Sequence, residues 1–251
     1  GNVLTDPVTG DHDTAPDHDP LVVTSASQNG SPITLGTPVT LAGGGTLTLS
    51  PDGSYTFDPG SAYNGLAPGQ TTTETVTYTI SDGNGGTSTA QLVLTVTGVN
   101  DAPVVVDPSS PGSPANPTPA ADPAHVIPDV ATTDGATPAP VNVGAYVVDP
   151  EGEPLTFTAT GLPPGMVIDP ATGVITGTLP ADASQTGPYA VTVTATDPHG
   201  ATVTVPVTYV VANLPPVAVD DATTLSEDGP AATGNVLTDP VTGDHDTAPD
   251  H

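Results

Sequence analysis

The chain has 251 residues, and its 28 Asp and Glu residues are accompanied by no Lys or Arg, which gives a formal charge of −28. A polyanion without cationic side chains cannot neutralise phosphate groups, so nucleic acid and anionic membrane surfaces are excluded as partners. No apolar stretch is long enough to span a bilayer, and the chain contains no Cys for disulfides.

Short runs of alternating apolar and polar residues predict β-strands along the whole chain. Pro or Gly interrupts almost every window long enough for a helix. The predicted strands, in chain order, are Leu21–Ala26, Thr46–Leu49, Ser54–Phe57, Thr73–Ile80, Thr87–Thr97, Leu155–Thr160, Val174–Thr176, Tyr189–Thr196 and Ala201–Val211. The turns DGNGG and DPHG each close a β-hairpin. This pattern predicts an all-β protein built from tandem Greek-key β-sandwiches of the immunoglobulin or cadherin kind.

An 18-residue segment occurs twice without change. Residues 1–18 read GNVLTDPVTGDHDTAPDH, and residues 234–251 read the same, so the two copies begin 233 residues apart. A long identical repeat predicts a tandem array in which each unit mainly contacts its neighbours.

A weaker repeat divides the period into two related halves. Each half contains an acid-x-acid-Pro-Leu motif, an acidic Gly turn and an Asn-x-x-Pro exit. The predicted organisation is a β-sandwich over 1–102, a Pro-rich linker or packed surface loop over 103–124, a second β-sandwich over 125–215, and the start of the next repeat over 216–251. In this division the first domain lacks its N-terminal strand.

Two families resemble these halves. The stretch PPVAVDDATTLSEDGPAATGNVLTDP, joined to residues 19–101 with SDGNGGTSTAQLVLTVTGVNDAP, resembles a VCBS-type repeat. Residues 125–214, with DPEGEPLTFTATGLPPGMVIDPATGVITGTLP, resemble a dystroglycan-type cadherin-like or putative-Ig repeat. The resemblance implies an immunoglobulin-like fold, a place at the bacterial cell surface in a large secreted adhesin or biofilm protein, and calcium at domain boundaries.

Acidic clusters are the candidate metal sites. Calcium takes six to eight oxygen ligands, so several carboxylates must converge. Asp149, Glu151 and Glu153 alternate, so their side chains share one face of an extended segment. By resemblance to the cadherin-like pattern, these three acids would meet Asn100, Asp101 and Asp197. Asp134 is a further candidate for the same group. The family usually has Asp at the two Glu positions, and solvated turn acids are the alternative interpretation.

A second candidate calcium site involves the first domain. By the same resemblance it comprises Asp17, Asp19 and Asp82, with further ligands contributed at the preceding junction of an array. Those further ligands are Asn213, Asp220, Asp221 and Glu227. A plain polar loop is the alternative for residues 6–19, and a transition-metal site on His12 and His18 is a third. The turn Asp82–Gly86 closes a hairpin equally well without metal.

The sequence therefore predicts a calcium-stiffened stalk segment that is not an enzyme. The chain has no Cys nucleophile, no Lys or Arg to stabilise an oxyanion, and no Trp for a sugar-binding cleft. Its predicted partners are calcium and neighbouring repeats of the same chain. Two alternatives remain: an adhesive module that binds a glycan or another copy, for which Tyr55, Phe57 and Tyr63 are the aromatic cluster, and a self-assembling extracellular fibre subunit.

Overall fold

The computed structural model describes residues 1–5, 13–15, 18–218, 220, 227–229 and 233–234. Within these ranges the secondary structure is β-strand, with 3₁₀ turns and no α-helix. No helix with the length and apolarity needed to cross a bilayer occurs in this part of the chain. The described residues form two compact units, which the next paragraphs take separately.

Unit 1 comprises Gly1–Val104, Ser109–Thr118 and Val148–Glu153. One of its sheets has the order β2-β1-β6-β7, another has the order β3-β4-β5, and β9 pairs with β10. Its strands are β1 (Val22–Gln28), β2 (Ser31–Ile33), β3 (Val39–Thr40), β4 (Thr46–Leu49), β5 (Tyr55–Asp58), β6 (Thr71–Ser81), β7 (Thr87–Thr97), β9 (Gly112–Ser113) and β10 (Asn116–Pro117). A 3₁₀ turn at Gly60–Tyr63 follows β5.

The long hairpin of unit 1 shows why these residues form a sandwich. Strands β6 and β7 pair antiparallel from Thr71↔Thr97 to Ser81↔Thr87. From Glu74 to Ile80 every second residue of β6 is buried, and the residues between them are Thr on the outer face. Thr is β-branched and polar, so it suits an exposed strand position. The inward residues join a core that includes Leu47 and Leu49, both fully buried, and each such Leu contributes about 1.5–3 kcal/mol by its burial.

Unit 2 comprises Val105–Pro108, Pro119–Val147 and the described residues from Pro154 onward. Its sheets have the orders β11-β18-β17-β14 and β12-β16-β15. The strands are β11 (Val130–Thr133), β12 (Val141–Asn142), β14 (Thr156–Thr160), β15 (Met166–Ile168), β16 (Val174–Gly177), β17 (Tyr189–Thr196) and β18 (Thr202–Ala212). Two short strands, β8 (Val104–Val105) and β13 (Val147–Val148), pair with each other. Further 3₁₀ turns lie at Val143–Tyr146 and Ala183–Thr186.

The core of unit 2 lies beneath its own long hairpin. Strands β17 and β18 pair from Tyr189↔Tyr209 to Thr196↔Thr202. Their inward residues Val191, Val193, Val205 and Val207 are essentially inaccessible to solvent and pack in one apolar cluster. Strand β11 adds to β18 in the parallel direction, with Thr133 paired to Ala212. The predicted all-β class is confirmed, and each unit has its own apolar core.

The predicted strands agree closely with the structure. Thr46–Leu49, Thr87–Thr97 and Tyr189–Thr196 have the predicted bounds, and the other six differ by one or two residues at their ends. In the Pro-rich stretch, which the sequence left as linker or packed loop, Gly112–Ser113 and Asn116–Pro117 form a small hairpin. The predicted start of a further repeat over 216–251 lies mostly outside the described residues.

Two tyrosines test the packing of unit 2. Tyr209 is fully buried, and its hydroxyl has no hydrogen-bond partner among the described residues, whereas the Tyr189 hydroxyl donates to the Ala183 carbonyl at 2.8 Å. We expect Tyr189→Phe to lower the free energy of unfolding by about 1 kcal/mol, and Tyr209→Phe to leave it unchanged or raise it. Hydrogen exchange of the β17 and β18 amides measures this for unit 2 alone. Equal losses in the two variants would contradict the packing described here.

Candidate metal centre

Asp149 is the best-fixed carboxylate of the predicted sites. It is 4% exposed, and its Oδ1 accepts hydrogen bonds from the backbone amides of Glu151 at 3.1 Å and Glu153 at 3.0 Å. The turn is completed by Gly152, whose φ of +75° lies in the left-handed region that glycine adopts without strain. The other oxygen, Oδ2, is buried and has no hydrogen-bond partner in the described part of the chain.

Glu151 joins this turn to a segment 50 residues earlier in the chain. Its Oε1 accepts a hydrogen bond from the Asp101 amide at 2.8 Å, while its Oε2 is buried without a partner among the described residues. Burial raises the pKa of Glu151, and the nearby charges of Asp149 and Asp101 raise it further; the amides of Asp101 and of Glu151 itself oppose the shift. The carboxylate is therefore held where its negative charge is unfavourable.

These contacts gather one predicted ligand group inside unit 1. Asn100 and Asp101 follow β7 and Gly98, and the turn at 149–153 belongs to the same unit. Asn100 and Glu153 are half-buried there. Asp197, predicted to join them, lies in unit 2 and is described below with that unit. The described ranges contain no three His, Cys, Asp or Glu side chains already arranged to hold a metal ion. Backbone amides therefore orient Asp149 and Glu151 separately.

Asp82 and Asp19, of the second predicted group, are also brought together. Oδ1 of Asp82 accepts from the amides of Asn84 at 2.8 Å and Gly86 at 2.9 Å. The side-chain amide of Asn84 donates to Oδ2 of Asp19. The carboxylate of Asp82 lies so close to position 86 that only Gly fits there, since a Cβ would be 2.1 Å from Oδ2 of Asp82. The turn is therefore built around the carboxylate.

The equivalent turn of unit 2 repeats this geometry around Asp197. Asp197 is 5% exposed, and its Oδ1 accepts from the amides of His199 at 2.8 Å and Ala201 at 2.9 Å. Asp82, Asp149 and Asp197 thus share one arrangement, in which the amides two and four residues later hold a single carboxylate oxygen. The weak internal repeat in the sequence reflects this shared turn.

Asp134 does not belong with Asp197, so the expectation that it joins that group is wrong. Asp134 follows β11, whose last residue pairs with Ala212 at the end of β18, whereas Asp197 precedes the start of β18. The length of an 11-residue strand, roughly 30 Å or more, therefore separates them. The carboxylate of Asp134 instead accepts from the Ser184 amide at 2.6 Å and the Ser184 hydroxyl at 2.7 Å.

The remaining predicted ligands lie elsewhere. Asn213 is exposed, and its Oδ1 lies 3.5 Å from the Ser184 hydroxyl. Asp220 and Glu227 are exposed residues of the described C-terminal stretch. Asp17 and Asp221 lie outside the described residues, as does His12 of the transition-metal alternative.

One buried acid escaped the sequence interpretation. Glu74 points inward from β6, and its carboxylate accepts from the Gln28 amide at 2.6 Å and the Tyr63 hydroxyl at 3.0 Å. Gly43 makes room for it, since a Cβ there would lie 1.7 Å from Oε1. Its inward position in the alternating strand TTTETVTYTIS was the available signal. This network includes Tyr63 of the predicted aromatic cluster, because the Tyr63 hydroxyl donates to Glu74. The centroid of the Tyr63 ring lies 6.4 Å from that of Phe57.

Two family models match the chain. Residues 1–98 match the family described as "Bacterial cadherin-like domain", and residues 106–212 match the family described as "Putative Ig domain". The putative-Ig resemblance predicted for residues 125–214 is confirmed at this level. The cadherin-like match falls on the half for which a VCBS-type repeat was predicted, and the VCBS-type assignment stays a prediction. No curated protein matches the chain.

Solved structures show more distant similarity. Mouse cadherin-23 EC22–24 is 15% identical, with 82% of this chain and 57% of that one covered and a TM-score of 0.45. Protocadherin gamma B7 domains 1–4 are 17% identical, with 84% and 48% covered and a TM-score of 0.41. A protein described as a putative α-galactosidase/melibiase from Bacteroides fragilis is 21% identical, with 34% of this chain covered and a TM-score of 0.28. The chain spans only 16% of that protein and 19% of a second one described as a putative α-galactosidase.

The role of Asp134 can be tested through pH. Burial works against its charge, but the hydrogen bonds from Ser184 and from the Leu214 amide outweigh it and hold the pKa of Asp134 below its ordinary value. A lowered pKa in the folded state gives stability that is present above the unfolded pKa of about 3.9 and is lost as pH falls through the folded value. We therefore expect Asp134→Asn to destabilise unit 2 at neutral pH and to converge with the wild type in acid.

The matched control is Asp129→Asn, which removes the same charge from an exposed position. Thermal unfolding followed over a pH series, with hydrogen exchange to identify unit 2, distinguishes the two variants. Identical pH profiles would show that Asp134 contributes no more than a surface charge.

Proposed function

We propose that this chain is a calcium-dependent extension segment of a large extracellular adhesin or matrix protein, and that it has no catalytic role. The observation that carries the proposal is the pair of buried carboxylate oxygens on Asp149 and Glu151 that lack hydrogen-bond partners among the described residues. Buried anionic oxygens are costly unless a cation or donors compensate them. The chain has no Lys or Arg to supply that cation.

The donor set fits calcium better than any other common metal. Carboxylate, amide and backbone carbonyl oxygens are hard ligands, which favour calcium or magnesium, while the absence of Cys removes the thiolates that favour zinc and copper. Asp101, Asp149 and Glu151 would hold the ion, with Asn100 and Glu153 completing the oxygen ligands. Calcium tolerates irregular and flexible coordination, which suits carboxylates carried by a turn and a connecting segment. The bound ion would neutralise the local negative charge.

The mechanical role follows from where these residues lie in the chain. The chain passes between the two compact units after Val104, Pro108, Thr118, Val147 and Glu153. In sequence, Asn100, Asp101 and the turn at 149–153 are adjacent to the first and to the last two of these passages. An ion bound by both segments would tie them together and restrict the backbone freedom of the connections. Repeated along an array, the same restriction would stiffen a stalk that carries a terminal binding domain away from the cell.

The second acidic group extends the proposal to the next junction of an array. Asp19 and Asp82 already lie together through Asn84. Ligands from the preceding repeat, Asn213, Asp220, Asp221 and Glu227, would complete that site. Asp197 of unit 2, whose turn has the same construction as that of Asp82, stays a predicted calcium ligand.

Calcium binding is testable with two matched aspartates. Asp149 and Asp169 each accept two backbone amides through Oδ1, but Asp149 is buried and Asp169 is exposed. We expect Asp149→Asn to weaken calcium affinity roughly tenfold or more, because it removes a ligand charge, and Asp169→Asn to leave it unchanged. Calorimetric titration of the metal-free chain measures both.

Thermal melts provide the independent readout. Calcium at a hundred times its dissociation constant would stabilise the folded chain by about 2.7 kcal/mol, and excess chelator would reverse the gain. A melting curve indifferent to calcium would overturn the calcium proposal. Equal loss of affinity in the two variants would instead place the ion elsewhere.

Stiffening is a separate prediction. In small-angle scattering we expect calcium to give a longer and better-defined maximum dimension than chelator, because tied connections sample fewer arrangements. Asp149→Asn should remove that response, and Asp169→Asn should retain it. Calcium binding without any change in the scattering curve would leave a calcium-stabilised domain and would exclude the mechanical role.

A further inference from the structure

The first residues of the chain complete the edge of a sheet in unit 1. Strand β5 pairs with β4 on one side, and on its other side it pairs with the segment Gly1–Leu4. The Tyr55 amide donates to the Gly1 carbonyl at 2.8 Å, and the Gly1 amine donates back to the Tyr55 carbonyl at 3.0 Å. The Val3 amide donates to the Gly53 carbonyl at 2.8 Å. The segment thus adds to this edge through one antiparallel bridge, Asn2↔Ser54.

Side chains fix the position of this segment. Leu4 is 8% exposed and belongs to the apolar core of unit 1. Gly53 leaves the space that Leu4 fills, since a Cβ at Gly53 would lie 2.5 Å from Leu4 Cγ. The Asn2 side chain donates to the Asp52 carbonyl at 3.1 Å and accepts from the Leu4 amide at 2.9 Å. The buried Leu4 and the hydrogen bonds of Asn2 therefore fix the position of this segment at the edge.

The same five residues recur at positions 234–238. Gly234, Asn235, Val236, Leu237 and Thr238 repeat the sequence of residues 1–5, and all but Gly234 lie outside the described residues. Every contact of Gly1–Leu4 named above uses the backbone, the Asn side chain or the Leu side chain. The second copy has all of these groups, and the amide of Gly234 can donate where the amine of Gly1 does.

We propose that the 234–238 segment of one molecule occupies the edge of β5 in a second copy of this chain, in place of that copy's own residues 1–5. Strand addition at a sheet edge supplies backbone hydrogen bonds, and the buried Leu supplies specificity. The resident segment is favoured at low concentration, because a tethered strand has an effective concentration in the millimolar range. Exchange therefore becomes prominent when the resident segment is weakened or the chains are crowded, and it links copies head to tail.

Two equivalent leucines test the exchange in the full chain. Leu4→Asp places a carboxylate in the buried site, where no Lys or Arg can pair with it, and leaves the edge of β5 open to Leu237 of another copy. We expect this variant to keep cooperative unfolding of unit 1 and to reach at least dimer mass as its concentration rises. Leu237→Asp should match the wild type in stability and remain monomeric. The double variant should lose the stability of unit 1 without forming these assemblies.

The deciding comparison is between Leu4→Asp and the double variant, by light scattering and thermal unfolding in calcium and in chelator. If both are equally destabilised and equally monomeric, the exchange does not occur. A stable but strictly monomeric Leu4→Asp chain would also overturn the proposal, because it would show that a second copy is not needed.

A disulfide trap tests the pairing without a destabilising substitution. Asn2 and Ser54 are antiparallel partners, flanked by hydrogen-bonded pairs, so they form a non-hydrogen-bonded pair with Cα atoms about 4.5 Å apart, a separation that a disulfide spans. The chain has no Cys of its own. Mixing Ser54→Cys with Asn235→Cys chains should give a disulfide-linked dimer under oxidation. Pairing Ser54→Cys with Asp228→Cys is the control, and equal yields in both mixtures would refute the register.

Discussion

The absence of Lys and Arg is the constraint on which the rest of the structure depends. With no Lys or Arg, a carboxylate in this chain can remain in water, accept hydrogen bonds from amides and hydroxyls, or bind an external cation. The described structure uses the second option repeatedly. Asp82, Asp149 and Asp197 each hold a turn together through one oxygen that accepts two backbone amides. Such charge-assisted hydrogen bonds replace the salt bridges that an ordinary protein would use.

This solution places the charge in turns and keeps it off the sheets. The outward residues of β6 and β7 are chiefly Thr, and the acid on β6 is Glu74, which points inward and is satisfied by Gln28 and Tyr63. The outer faces of β6 and β7 are therefore uncharged, while the turn that connects them is acidic. Because mutual repulsion grows as charges approach, this distribution allows compact sandwiches in a chain of formal charge −28. It also concentrates acids at the ends of strands.

Much of this fold was predictable from period-two alternation, since apolar residues alternate with Thr over most of the two long hairpins. What escaped prediction depends on contacts distant in sequence. Val130–Thr133 pairs in parallel with β18, and Asp134 acts through Ser184; neither partner is marked by local sequence. The acidic turns were recognisable as candidate ligands. The contact of the 149–153 turn with Asp101 was expected from the family resemblance, whereas the separation of Asp134 from Asp197 could be seen only once the strand order was known.

Glu151 illustrates how a departure from the pattern of the cadherin-like repeats that the sequence resembles can have a structural reason. Asp149 is short, so its carboxylate folds back onto the amides of its own turn. Glu151 has one more methylene group, and its carboxylate reaches outward to the Asp101 amide, 50 residues away in the chain. An Asp at position 151 would have a shorter reach. The shorter acid therefore shapes the turn, while the longer one connects it to the segment that follows β7, and each keeps its second oxygen buried and available.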